Sequence, residues 1–316
     1  MSSPVSNPAP GPASHTAPSR RADGHGPDRR RADGRPDRRR PAGPSRAKGI
    51  SLHLLAVTLA VFILAPLLFG LLGGFKDNAQ LAANPFGLPA PWHPENYTEV
   101  LGSASFWRQI GNSVLIALAT TVLVVGLSAM AAFAFARFAF RGREVLFTIF
   151  TAGLMFPFAV AILPLFVLMR AFGLLDNPLG VILVQAAFGL PMTIIILRGF
   201  FAAVPREVEE AAVIDGCTPF GVFWRVLLPM ARPALATVSV LAIVASWNNF
   251  FLPLAVFNDP DWWTIPLGVQ QFQGQYSTDV ARTLAYVVLA MVPALAFYAV
   301  AERHLISGLT AGATKG

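Results

Sequence analysis

About six stretches of this chain are long and apolar enough to cross a bilayer, and that feature leaves few folds open to it. A hydrocarbon core of ~30 Å needs ~20 residues of helix. The stretches are residues 52–75, 110–137, 145–170, 179–200, 233–257 and 284–301. None shows the period-two alternation of a strand, and all exceed the ~10-residue spans of a membrane barrel. The expected fold is an all-α membrane protein with about six transmembrane helices.

Composition removes the main competitors. With 54% hydrophobic and 13% charged residues and a mean hydropathy of +0.56, the chain is too apolar for a water-soluble enzyme of 316 residues. A net charge of +7 would suit a nucleic-acid partner if it lay on a folded face, but nearly half of the Lys and Arg residues fall at or before Lys48. No nucleic acid is therefore expected. Cys217 is the one cysteine, and the five histidines form no HxxxH or HExxH pair, so a disulfide scaffold and a zinc site are both excluded. No catalytic or metal-binding residue is assigned.

Residues 1–50 are Pro, Gly, Ser, Ala, Asp and Arg, with Arg21-Ala22-Asp23-Gly24 echoed by Arg31-Ala32-Asp33-Gly34. Such a segment cannot bury enough surface to fold and is expected to be a disordered Arg/Pro-rich tail. Residues 51–108 follow as a first span and outer loop, 109–303 as the main transmembrane domain, and 304–316 as a C-terminal tail. The first apolar run is too long and starts too late for a signal peptide, so it is expected to remain as an anchor. Lys and Arg concentrate on the side of the tail, of Arg137, Arg141 and Arg143, of Arg198, Arg206, Arg225 and Arg232, and of Arg303 and Lys315. That asymmetry places both termini in the cytoplasm and the loops 76–108 and 258–282 outside.

Within the spans no Asp, Glu or Lys lies at mid-membrane depth, whereas proton-coupled carriers usually need a buried carboxylate. Prolines 66, 157, 164, 191, 253 and 293 interrupt the runs, accompanied by neutral amides. Gln185, Trp247, Asn248 and Asn249 are candidate groups for the pathway of an uncharged, hydroxyl-rich solute, although such residues also serve simple helix packing. A further polar group, Asn112, stands in the second run.

Between the fourth and fifth runs lies Pro205-Arg206-Glu207-Val208-Glu209-Glu210-Ala211-Ala212-Val213-Ile214-Asp215-Gly216. Pro205 can open a helix, Glu207, Glu209 and Glu210 favour its N-terminus, and Gly216 can end it. A second amphipathic piece is predicted from Pro219 to Leu228, stopped by Pro229 and Pro233. Glu210-Ala211-Ala212, Asp215-Gly216 and Val226-x-Leu228-Pro229 at this spacing resemble the EAA loop of ATP-binding-cassette importer permeases. Val226 replaces the usual Ile, a change of one methylene.

Other segments resemble the carbohydrate-uptake, maltose-permease-G-like branch of that family. They are Leu64-Ala65-Pro66-Leu67 with Gly74-Phe75-Lys76, Ser246-Trp247-Asn248-Asn249-Phe250 with Pro253-Leu254, and the C-terminal run from Glu302-Arg303 to Gly316. Asn249 stands where relatives more often carry an acid. The resemblance implies a type I importer transmembrane domain whose loop is a coupling helix seated on a separate ATPase. Glu210 would then be the charged contact, Ala211 and Ala212 the close-packed face, and Gly216 the turn, with Asp215, Leu228 and Pro229 completing the motif.

It also implies a second permease, an ATPase dimer that uses ATP and Mg, and an extracytoplasmic sugar-binding protein. The chain holds no GxxxxGK[ST] loop of its own, which agrees with a transport subunit that is not an enzyme. The outer segment with Trp262, Trp263, Gln270, Gln271 and Tyr276 offers rings for sugar C–H faces and amides for hydroxyls. It suits contact with the binding protein, and the two tryptophans equally suit interfacial anchoring. Other readings are the same machinery carrying glycerol-phosphate or a polyamine, an ion-coupled carrier, and an intramembrane enzyme, the last lacking any catalytic set at membrane depth.

Overall fold

The computed structural model describes residues 46–274 and 278–313, with side chains described for 52–274 and 278–301. The expected disorder of residues 1–45 and the assignment of Tyr276 lie outside the described residues. Two units divide the chain, residues 1–55 and residues 56–316. The described part of the first, residues 46–55, is helix, so residues 46–50 of the expected tail are already in α1 (Arg46–Gly73). From Ala56 to Leu68 every side chain of α1 is exposed, as suits a helix whose solvent is lipid.

After α1 come the short helices α2 (Asn78–Ala83) and α3 (Glu95–Gly102) and the long α4 (Ala104–Arg137). Lys76 is buried and donates from Nζ to the carbonyls of Asn84 and Pro85 at 2.8 and 3.0 Å, which fixes the turn after α2. The third apolar run is not one continuous helix. It splits into α5 (Arg143–Ala152) with a 3-10 turn (Gly153–Met155), then α6 (Phe158–Ala171), and the two limbs meet at 100°. Pro157 is the reason, because it cannot donate to the helix ladder and forces Phe156 into extended backbone (φ −80°, ψ 117°).

The helix α7 (Pro178–Ala203) opens on Asn177, whose side chain accepts from Leu179 N–H, with Pro178 in its first turn. Then come α8 (Arg206–Ile214), α9 (Pro219–Val222), a π turn (Phe223–Leu227) and α10 (Leu228–Met230). A 75° bend at Ala231 leads into α11 (Arg232–Trp247), which ends ten residues short of the expected span. The helical run from Pro219 passes through the π turn and ends at Met230, between Pro229 and Pro233 as expected, and Pro233 sits in the first turn of α11, where a missing N–H costs nothing.

Beyond α11 the chain unwinds and restarts as α12 (Phe251–Val256), where Asn249 Oδ1 accepts from Leu252 N–H at 3.2 Å. An acid at position 249 could make the same bond. The chain ends with α13 (Ile265–Gly268) and α14 (Val280–Ala313), which runs through most of the expected C-terminal tail. Among the described residues four helices are long and apolar enough to cross a membrane on their own, or up to six if each bent pair is one span. Among the described residues the sole β feature is an isolated bridge between Gln273 and Thr278.

Within residues 56–316, α4 packs along α7 and α11, and α11 along α14. Two apolar clusters lie toward opposite ends of α4. One joins Phe133, Leu197 and Phe201 to Ala212, Phe223 and Leu227, and the other joins Ile116 and Val181 to Leu252, Val256 and Leu267. The first ties the α8–α10 segment onto the ends of α4 and α7.

Candidate functional site

The helix α8 is only nine residues long, so its stability comes from its ends and its packing. Glu207 and Glu209 stand in the first turn, where negative charge favours the exposed N–H groups. At the other end Cys217 N–H bonds to Ala212 C=O and Gly216 N–H to Val213 C=O, both at 2.9 Å. These two bonds form a Schellman closure, which needs a left-handed residue after the C-cap. Gly216 supplies it at φ +86°.

Ala212 is buried against Phe133, Phe201 and Phe223, so this member of the expected partner face instead seats α8 on the chain's own body. Ala211 is exposed, as are Glu207, Glu210 and Asp215. The outward surface also carries Ile214 at 85% exposure and Phe220 at 69%. Leu228 packs on the inner cluster and Pro229 is exposed. A concavity of about 400 Å³ beside the turn is lined by Gly216, Cys217, Thr218, Phe220, Trp224 and Arg225. The outward surface thus carries three carboxylates and apolar groups around one glycine turn, with Arg206 and Arg225 exposed beside them.

Glu209 differs from its neighbour Glu210 by turning inward. Its Oε1 lies 2.6 Å from Arg137 Nε, a close charge contact rather than an aligned hydrogen bond, and the arginine side chain is 6% exposed. Arg137 Nη2 also donates to the carbonyl of Val204, the C-cap of α7, at 2.7 Å. Breaking a fully buried pair by removing one partner costs about 3–5 kcal/mol. The cost here is smaller, because the Glu209 side chain keeps 21% exposure. The α8 periodicity, with Val208 and Ala212 on one face, could have pointed Glu209 inward, but nothing in the sequence names a partner 72 positions away.

A cavity of about 240 Å³ lies between α4, α7 and α11, with Thr120, Gln185, Ser246 and Asn249 as its polar lining and Phe158 and Phe188 among its apolar walls. Gln185 Oε1 accepts from Ser246 Oγ at 2.6 Å and Thr120 Oγ1 at 3.3 Å. Its Nε2 is buried and has no partner among the described residues. Trp247 and Asn248 are not in this cavity. They line a separate, mostly apolar groove of about 460 Å³ against α4 and α14, where Asn248 Nδ2 donates back to Val244 C=O. The four pathway candidates therefore divide into two pairs. Asn112 joins neither, because its Nδ2 holds the carbonyls of Asp261 and Trp263.

Trp262 and Trp263 are half-buried against the cluster of Ile116 and Leu252. An ion pair between Arg108 and Asp261 fixes the adjacent 3-10 turn (Pro260–Trp262) to α4. Gln270 is half-buried, and the exposed Gln271 accepts from Ser105 Oγ at 3.1 Å. The segment is pinned to α4 at both ends.

Residues 124–304 match the family described as binding-protein-dependent transport system inner membrane component. The chain belongs to that family. The match takes in α8, the cavity lining apart from Thr120, and the 258–274 segment. Similar proteins include the diacetylchitobiose uptake system permease protein NgcG of Streptomyces coelicolor, 37% identical over 82% of this chain and 87% of that protein. Another is the arabinooligosaccharides transport system permease protein AraQ of Bacillus subtilis, 31% identical over 84% of this chain and 96% of the relative. A crystal structure of a bacterial ABC transporter involved in import of the acidic polysaccharide alginate superposes with a TM-score of 0.70, at 24% identity, over 82% of this chain and 96% of that chain. At that identity the likeness speaks for the fold. As a member of the family, the chain is a membrane permease subunit of a transport system that depends on a binding protein, and its role is transport.

Proposed function

We propose that this permease is one membrane half of an ATP-driven importer that carries a mono- or oligosaccharide into a bacterial cytoplasm, with both termini on the cytoplasmic side. A second permease completes the pore, an ATPase dimer holding ATP and Mg docks below, and an extracytoplasmic sugar-binding protein delivers the solute. The observation that carries the reading is α8, a short helix closed at Gly216, seated inward by Ala212 and presenting Glu210, Ala211 and Ile214 outward. A surface of that kind, with carboxylates and apolar groups, suits a partner groove with basic and apolar lining. Closure of the ATPase dimer on ATP would shift α8, and with it the populations of outward- and inward-facing helices.

Two observations support a sugar as the solute. The cavity between α4, α7 and α11 is lined by hydroxyls, amides and aromatic rings, with no charged residue. Relatives over four fifths of the chain carry names of oligosaccharide systems. A neutral lining fits a sugar better than glycerol-phosphate or a polyamine. Trp262, Trp263, Gln270 and Gln271 would support contact with the binding protein, and Gln185 with Asn249 would line the sugar's path.

The test is uptake of radiolabelled diacetylchitobiose and arabinooligosaccharides into vesicles containing the full complex and binding protein. Uptake that requires enclosed ATP and survives collapse of ion gradients is expected. Uptake by this chain without an ATPase, driven by an ion gradient, would contradict the proposal.

A further inference from the structure

We infer that Arg137 is the positioning residue through which movement of α8 reaches the helices lining the central cavity, an inference that rests on α8 being the coupling helix. Arg137 is the last residue of α4, and its single guanidinium contacts two other elements. Nε pairs with Glu209 in the first turn of α8 at 2.6 Å, and Nη2 holds the Val204 carbonyl at the end of α7 at 2.7 Å. Only Pro205 separates α7 from α8 after Val204, and that joint would otherwise let α8 rock freely. With the guanidinium in place, α8 cannot tilt about the joint without pulling on α4.

The far ends of the same helices reach the cavity. Thr120 lies 17 positions before Arg137 on α4, a distance of about 25 Å at ~1.5 Å per residue, and lines the cavity with Gln185 of α7. A displacement of α8 is thus delivered to two of the four helices that line the cavity, α4 and α7. The pair also agrees with the local fields, since the cation ends one helix and the anion begins another. Arg206, Glu207 and Glu210, the other charged groups of α8, are exposed and do not compete for Arg137. Packing alone does not require this arrangement, because buried ion pairs are often replaced by apolar residues without loss of stability.

The test uses the complete importer with its ATPase and binding protein, and measures retained ATPase, basal hydrolysis and sugar transported per ATP. Arg137→Lys and Glu209→Gln should retain the ATPase and hydrolyse ATP, while transport per ATP falls by about tenfold, within the range of coupling-network substitutions. The exchange Arg137→Glu with Glu209→Arg should recover part of that loss. The apolar pair Arg137→Met with Glu209→Leu should fold and remain uncoupled, and it carries the test if the single variants fail to accumulate. Transport per ATP within twofold of wild type in the accumulating single variants, or in the apolar pair, would overturn the inference. A wild-type chain that retains no ATPase would instead overturn the coupling-helix reading.

Discussion

Ser246 Oγ on α11 donates to Gln185 Oε1 on α7 at 2.6 Å, and the opposite end of the same amide, Nε2, is buried without a partner among the described residues. With Thr120 also donating to Oε1, two hydroxyls fix the acceptor and leave the donor unspent at the wall of the central cavity. Buried donors are rarely left so, and one left unmade costs about 1–3 kcal/mol. Under the proposed function, a solute hydroxyl would be its acceptor.

Gln185→Leu should therefore separate stability from transport. It removes the unsatisfied donor, and the Ser246 and Thr120 hydroxyls can turn to carbonyls of their own helices. Thermal unfolding in detergent should change by no more than about 1 kcal/mol, within the range of volume-conserving changes. Uptake should drop by about tenfold, matching the loss of one hydrogen bond worth ~1.4 kcal/mol. Unchanged uptake would remove Gln185 from the pathway.

The two alanines of α8 should respond oppositely. Ala212→Leu pushes extra methylenes against Phe133, Phe201 and Phe223 and should destabilise the permease by about 1–3 kcal/mol. Ala211→Leu projects outward and should leave the isolated permease within ~0.5 kcal/mol of wild type while weakening retention of the ATPase. Thermal melts with ATPase pull-downs check both. Equal destabilisation would contradict the inward seating of Ala212.

Gly216→Ala places a side chain at φ +86° with nothing within 4 Å of the added carbon. The cost should thus be purely conformational, about 1–2 kcal/mol. Asn at the same position should cost less than Ala, because its short polar side chain tolerates the left-handed region. Melting temperatures in the order wild type, Gly216→Asn, Gly216→Ala are expected; an alanine variant as stable as wild type would argue against the Schellman closure.

Asp176, in the turn between α6 and α7, provides a pH-dependent contact outside the spans. Its Oδ1 accepts from Asp259 N–H at 2.8 Å and Asn258 N–H at 2.5 Å, and its carboxyl is held below the ordinary value of 3.8 by the Asp259 bond first and the Asn258 bonds after it, against burial. A depressed carboxylate contributes stability above its unfolded value and loses it as pH falls through the folded one. The protection factors of the Asn258 and Asp259 amides, corrected for the intrinsic slowing of exchange in acid, should fall as pH drops below the ordinary carboxylate value and through the lowered folded one. Asp176→Asn, which keeps an acceptor and suits the positive φ of 53°, should weaken that pH dependence. An identical acid profile in the variant would contradict the clamp.

Helix-forming runs and the glycine turn were legible in the sequence because their signals are local. Apolar length marks α4, α7 and α14, and the acidic start and Gly216 mark α8. What escaped depends on contacts across the fold. Pro157 was visible as an interruption, but the 100° angle between the limbs is not encoded in the proline itself. Asn248 and Asn249 are adjacent in sequence, yet the end of α11 sends one to the groove and the other to the cavity. The inward turn of Glu209 depends on Arg137 at the end of another helix. Glu210 was chosen through the resemblance to the EAA loop and Gly216 also through its place at the helix end, whereas Ile214 and Phe220 became candidates only once their exposure was seen.

The central claim is that α8 engages a separate ATPase, and co-purification from membranes tests it most directly, comparing wild type with Glu210→Arg and Gly216→Pro and recording hydrolysis stimulated by sugar-loaded binding protein. Glu210 is exposed, so its charge reversal should leave the fold intact. The wild type is predicted to retain an ATPase whose hydrolysis rises with loaded binding protein, and both variants to lose the retention or the stimulation. A wild type that brings down no ATPase, or variants indistinguishable from it, would contradict the account.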